Sequence, residues 1–186
     1  YAVTSGTIAQ FTTSGFTTAT NGGSALSSSV PVVFSTELFG VIYFADGAAE
    51  KKWTASTNTV AAWAASPGTL PTSGSNKPRL IETWRSRIVA SGISDDAHNW
   101  FMSAAGNALN WDYSPTTETA IQAVAGNNTD AGKSPDIINS MCPYNDDVLI
   151  FFGDHTIHQM TGDPAEGGRI DLVSSTIGGA WGRCWA

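Results

Sequence analysis

The strongest apolar run in the chain is Val148-Leu149-Ile150-Phe151-Phe152, entered from Asp146-Asp147 and left through Gly153-Asp154. Five residues are too few for a typical helix, and their β-branched and aromatic content predicts a strand buried on both faces. Gly153-Asp154 fits a two-residue type II′ turn, with Gly where φ must be positive. The more polar His155-Thr156-Ile157-His158-Gln159-Met160 returns as a second strand nearer solvent. Thr161-Gly162-Asp163-Pro164 then closes the hairpin with turn chemistry.

Two earlier stretches repeat this pattern. In Trp84-Arg85-Ser86-Arg87-Ile88-Val89-Ala90-Ser91-Gly92 a polar turn leads into a short apolar strand. A loop with Asp95-Asp96 follows, then Asn99-Trp100-Phe101-Met102-Ser103, a turn at Gly106-Asn107, and Trp111. Nearer the N-terminus, Gly40-Val41-Ile42-Tyr43-Phe44 runs into Ala45-Asp46-Gly47-Ala48, which reads as a type I′ hairpin turn. Lys51-Lys52-Trp53 begins the return, and a third strand ends at Trp63. The apolar strands start at Val41, Ile88 and Val148, 47 and 60 positions apart. Units of three or four strands recurring every 40–50 residues or so are the mark of β-propeller blades.

The remaining pattern supports an all-β chain. Residues 1–30 are rich in Thr, Ser and Gly and read as an arm or a weak strand pair. Residues 31–186 read as propeller-type blades at about 31–65, 79–113 and 135–175, with another starting at 177–186. Pro31 marks a strand edge, Arg79 to Trp84 a strand, and the prolines of 66–78 an inter-blade connector. Residues 116–124 fit a helix or a strand equally well. Residues 137–144 read as the strand before the central hairpin, and 169–173 alternate as a half-exposed strand does. A propeller ring needs about four units or more, so three plus a beginning imply a partial propeller. That is a piece of a longer chain, or an arc completed by neighbouring subunits.

Composition narrows the function. Only 13% of the 186 residues are charged and the formal net charge is −7, which argues against gripping nucleic acid by its phosphates. Acidic walls suit DNA only where it must pass without sticking. Cys142 and Cys184 are able to pair, yet buried thiols are the default, and no Cys/His cluster points to zinc. No signal peptide or transmembrane span is visible.

Candidate chemistry is sparse. Asp95, Asp96, Asp146, Asp147, Asp154 and Asp163 are the acids a glycoside hydrolase would need in opposed pairs. All fall at predicted turns, where Asp bonds the local backbone. His155 and His158 are three apart on a strand and point to opposite faces, so they do not share a metal; His98 stands alone in a loop. There is no Gly-x-Ser-x-Gly elbow and no phosphate-binding Gly-Lys loop. Asn127-Asn128-Thr129 satisfies the glycosylation sequon by a pattern common by chance. Arg85 and Arg87 share a face and are expected to pair with acids of the same or a neighbouring subunit. Trp53, Trp63, Trp100 and Trp111 recur with the repeat, so packing between sheets outweighs sugar stacking. No catalytic, cofactor-binding or metal residue is assigned.

The run Trp84-Arg85-Ser86-Arg87-Ile88-Val89-Ala90-Ser91-Gly92, with Asn99-Trp100-Phe101-Met102-Ser103 and Asn110-Trp111-Asp112-Tyr113, resembles a pattern of propeller-like structural proteins of tailed double-stranded DNA bacteriophages. Asp146 to Phe151, with Gly162-Asp163-Pro164 and Ile177-Gly178-Gly179, is similar to that family's following blade. The resemblance covers about 79–183. It implies a non-enzymatic virion protein of the tail, neck or nozzle, in a homo-oligomeric six-fold ring around the DNA exit channel. Its partners would be other tail or portal proteins, with transient, non-specific DNA passage. Asp95, Asp96, Asp146 and Asp147 are the acids expected to face that channel. The reading from another class is a secreted carbohydrate-binding or glycoside-hydrolysing β-propeller.

Overall fold

A computed structural model describes residues 1–183. The chain is all-β, built as four antiparallel sheets, none closed into a barrel. Sheet I holds β1 (Ala2–Thr4), β2 (Thr7–Thr12) and β3 (Gly15–Thr18). Sheet II holds β4 (Phe34–Leu38), β5 (Val41–Ala45), β6 (Glu50–Thr54) and β7 (Thr59–Ala62). Sheet III holds β8 (Leu80–Trp84), β9 (Arg87–Ser91), β10 (Trp100–Met102) and the short β11 (Val124–Ala125). Sheet IV holds β12 (Ser140–Asn145), β13 (Val148–Phe152), β14 (Ile157–Thr161) and β15 (Arg169–Ser174). In every sheet the strands follow in chain order, so each is a simple meander.

The repeat read from the sequence is therefore structural. Val41, Ile88 and Val148 all lie at the beginning of the second strand of a four-stranded meander. The hairpin before that strand is made similarly in two of the three sheets. Leu38 pairs with Val41 and Trp84 with Arg87 across two-residue turns. Both central residues have positive φ: Phe39 (+52°) and Gly40 (+76°), then Arg85 (+49°) and Ser86 (+56°). This is the type I′ geometry, whose twist matches that of the strands. In sheet IV, Asp146-Asp147 lack positive φ. There the register shifts between Pro143 and Asn145, and Asn145 Oδ1 accepts from the N–H groups of Asp147 and Val148.

First strands meet first strands. β8 packs between β4 on one side and β12 on the other. Thr36 and Thr83 join their hydroxyls at 2.8 Å, and the Trp84 indole donates to the Asn145 carbonyl at 2.7 Å. One continuous core runs through sheets II, III and IV, and a smaller one, around Ile8, Phe44, Trp53 and Val60, joins sheets I and II. Between sheets II and III the wedge is filled by a column of rings. Tyr43, Trp63, Trp111 and Tyr113 follow one another with centroids 4.8, 5.6 and 6.5 Å apart.

Several expectations need correction. The strand buried on both faces is β9, with all five residues buried, because sheet III has a sheet on either side. β13 alternates instead: Leu149 and Phe151 are buried, while Val148, Ile150 and Phe152 are half-buried, and β14 shows the same alternation. Gly153 does not have positive φ. The β13–β14 loop runs over four residues, and Gly153 is needed because a Cβ there would stand 2.4 Å from an Asp136 carboxylate oxygen. Likewise the β5–β6 connection is four residues long and is organised by buried Asp46, whose carboxylate accepts from the N–H groups of Ala48, Ala49 and Ser27. Residues 116–124 form neither helix nor strand until β11 begins at Val124. Residues 1–30 contain a three-stranded sheet packed onto sheet II, rather than an arm or a strand pair. Residues 66–78 connect sheets II and III without strands, as read.

Burial separates the second strands. Ile88→Ala removes a fully buried side chain and should cost about 2–5 kcal/mol, whereas Val148→Ala, half-exposed, should cost under about 1.5 kcal/mol. Urea unfolding of the two variants checks this; equal losses would show that both faces of β13 are packed.

Candidate functional site

Of the charged residues singled out in the sequence, Arg85, Arg87, Asp146, Asp147 and Asp163 meet at the junction between sheets III and IV. The type I′ turn projects Arg85 off the end of β8, and Arg87 begins β9. Both reach Asp163, which follows β14: Arg85 Nε and Arg87 Nη2 each lie 3.5 Å from a different carboxylate oxygen. Asp163 also caps the 3-10 turn Pro164–Glu166 by accepting from the Ala165 N–H at 2.9 Å. Arg85 donates to the Asp146 carbonyl at 2.7 Å, approaches Asp147 at 3.3 Å, and stands 5.7 Å over the Trp84 ring. Arg87 is wholly buried. Its guanidinium donates to the carbonyls of Ser103 (3.0 Å), Ala120 (2.7 Å) and Gln122, fastening the irregular segment before β11 to β9. Burial lowers the Arg87 pKa, Asp163 opposes that shift, and Arg85 adds to it.

A second fastening sits at the opposite end of the first strands. Glu82 is buried in β8, and Arg183 grips its carboxylate with two bonds of 2.7 and 3.0 Å while donating to the Ser35 carbonyl of β4. Burial raises the Glu82 pKa, and Arg183 counters part of the rise. Phe34, Leu80, Met141 and Gly182 close over this point, leaving no void for a water between the three first strands. The sequence reading missed Glu82. A lone acid inside Leu80-Ile81-Glu82-Thr83-Trp84 was its one signal.

The predicted acids do not gather. Asp95 and Asp96 lie in the loop after β9, at the Leu80 end of sheet III, while Asp146 and Asp147 cap the hairpin at the Trp84 end. Asp95 accepts from Ser73, Asn76 and Ser94, and Asp96 pairs with Lys133 and accepts from Asn99. Asp154 accepts from Asn139. Asp46 and Glu50 each line a cleft, one carboxylate apiece. His158 is buried and shares a 3.3 Å contact with Thr156, His155 is exposed on the loop, and His98 contacts the Ser134 carbonyl. Among the described residues no group of three or more His, Cys, Asp or Glu is placed to hold a metal ion, and no helix is long and apolar enough to cross a membrane. Cys184 lies outside the described residues, and with it the Cys142–Cys184 pairing.

Five of the described tryptophans are packing residues. Trp53, Trp63, Trp84, Trp100 and Trp111 are all buried, and each indole N–H donates to Asn58, Ala108, Asn145, Gly132 or Ala108 respectively. None of them offers a free ring face for sugar stacking. Trp181 differs, being 46% exposed and edge-on to Phe34.

Comparison with known proteins finds no family model and no curated protein that matches the chain.

Two outcomes test the fastenings. Arg87→Met leaves three carbonyls without this donor and removes one of the two cations paired with Asp163, and should cost about 3–5 kcal/mol, against under about 1 kcal/mol for Arg85→Met at the solvent edge. Denaturant titration of both variants reads the difference. For Glu82, the folded pKa lies above the unfolded value of about 4.3, so the folded chain holds the extra proton between the two values. Stability from this group is full below the unfolded pKa and declines as pH rises through the folded one. The slope of unfolding free energy against pH in that interval should be flatter in Glu82→Gln than in the wild type.

Proposed function

We propose that the chain is a non-enzymatic structural subunit, a stiff propeller-type wall of stacked sheets from the tail, neck or nozzle of a tailed bacteriophage. The observation that carries this reading is the placement of the motif that suggested it. Trp84 and Arg85 bond across to sheet IV, Arg87 ties a long connection and Asp163 to β9, and Trp100 and Trp111 are fully buried. These residues hold sheets to sheets, and none of them lines a described cleft. A motif of this kind serves mechanical rigidity.

The uncovered faces support a larger assembly. Val148, Ile150 and Phe152 line the half-exposed face of sheet IV, although a continuous apolar run usually marks a strand covered on both sides. On sheet I, Phe11 and Phe16 are exposed and pair with each other at 5.2 Å. In the propeller reading a further sheet covers each face. The acids take a modest part: the Asp95-Asp96 and Asp146-Asp147 pairs sit on opposite rims, so only one pair borders any given mouth of a channel.

Electron microscopy of the native assembly tests the proposal. The expected image is a six-fold ring of copies around an open channel. An isolated monomer, or turnover of a glycoside by the purified protein, would overturn it.

A further inference from the structure

The sheets are stacked in chain order, and the two ends of the stack are uncovered. On β5, Ile42 and Phe44 face the core shared with sheet I, while Tyr43 and Ala45 face the core shared with sheet III. Sheet I therefore lies on one side of sheet II and sheet III on the other. On β13, Leu149 and Phe151 face the larger core, and Val148, Ile150 and Phe152 turn away from it, half-buried. Ile157 stands beside Phe152 on this outer face, and β15 bulges between Leu172 and Ser174, leaving Val173 55% exposed at its rim. At the other end of the stack, Ile8 faces sheet II. Phe11, three residues on, and its cross-strand partner Phe16 therefore point outward, 66% and 61% exposed.

Charge sets these two faces apart from ordinary surface. Residues 1–36 carry no charged side chain; the 9 basic and 16 acidic ones all follow. An exposed sheet with aromatic residues and no charge to guard it invites association, and depletion of charge marks the centre of protein interfaces. On sheet IV, Arg169 and Asp171 lie opposite Thr161 and Gln159 and satisfy each other at 2.7 Å. A neutral sheet fits that face, because a charged one would find no free counter-ion there. A two-fold contact of sheet I with sheet I, or of sheet IV with sheet IV, leaves the other end bare. One head-to-tail contact covers both.

We propose that the outer face of sheet I in one copy of the chain packs on the outer face of sheet IV in the next, with Phe11 and Phe16 against Val148, Ile150, Ile157 and Val173. The contact continues between copies the face-to-face stacking that joins the sheets within one. Such a heterologous contact closes into a ring or runs on as a filament. The inference rests on the structural-subunit reading above and names the joint between its subunits.

Light scattering and native mass spectrometry of the purified chain test it. The wild type should associate beyond a dimer as concentration rises. Phe16→Lys and Val173→Lys each replace an exposed side chain without hydrogen bonds, so both should keep the wild-type unfolding midpoint. Each should weaken self-association about tenfold or more by placing a charge in an apolar contact. Phe16→Lys copies keep an intact sheet IV face and Val173→Lys copies an intact sheet I face. Mixed, the two variants should therefore form a one-to-one dimer and nothing larger. A wild type that stays monomeric would overturn the proposal, as would a homodimer of either variant alone, which reports a two-fold contact. A six-fold ring that persists in both variants would overturn this joint and leave the ring standing. A ring of another number, or a filament, that both variants dissolve would support the joint and overturn the six-fold ring.

Discussion

Everything in this fold depends on β8 having a neighbouring first strand on each side. Because β4 and β12 both press against it, sheet III is enclosed, and its polar groups must be matched inside protein. Thr83 meets Thr36 and the Glu37 carbonyl, Glu82 meets Arg183, and the Trp84 indole meets Asn145. The Thr83 and Trp84 contacts cross from one sheet to another, and Arg183 links Glu82 of β8 to the Ser35 carbonyl of β4. Hydrophobic burial supplies most of the cohesion but has no direction; the crossing hydrogen bonds fix the angle and register at which the sheets meet. Buried charge performs this service only with its partners in place, since an uncompensated group would cost more than the pair contributes.

Much of this architecture was legible from residue order. Period-two patterning and the recurrence of Val41, Ile88 and Val148 gave three of the four sheets, and the prolines of 66–78 marked a connection between sheets. What stayed hidden required knowledge of neighbours. An unbroken apolar run looks the same whether both faces are covered or one awaits cover, so the two-faced burial expected of β13 is found in β9 instead. Turn signals were read too narrowly: Ala45-Asp46-Gly47-Ala48 suggested two central residues, but the Asp46 side chain organises four. Residues 116–124 had no dominant local preference, and their path is set from outside by Arg87.

The candidate site followed the same division. Arg85 and Arg87 were recognised as a pair bound for an acid, yet Asp163, 76 positions beyond Arg87, was identifiable only in three dimensions. Glu50 gave no sign of its burial in the sequence, being an ordinary strand-initial acid next to two lysines. Most of the abundant aspartates bond nearby turns and side chains.

The grip of Arg87 on the carbonyls of Ala120 and Gln122 has a consequence for how the chain tolerates being cut or interrupted. The exposed residues just before them, around Thr116 and Thr117, carry no strand and no core side chain. A break there separates the chain into two pieces that still share the β10–β11 ladder, the guanidinium clamp and the apolar seam between sheets III and IV. Such pieces need no covalent link to stay in place, so this surface bend is where a foreign peptide can be spliced in, or new termini opened, with the stacked sheets left intact.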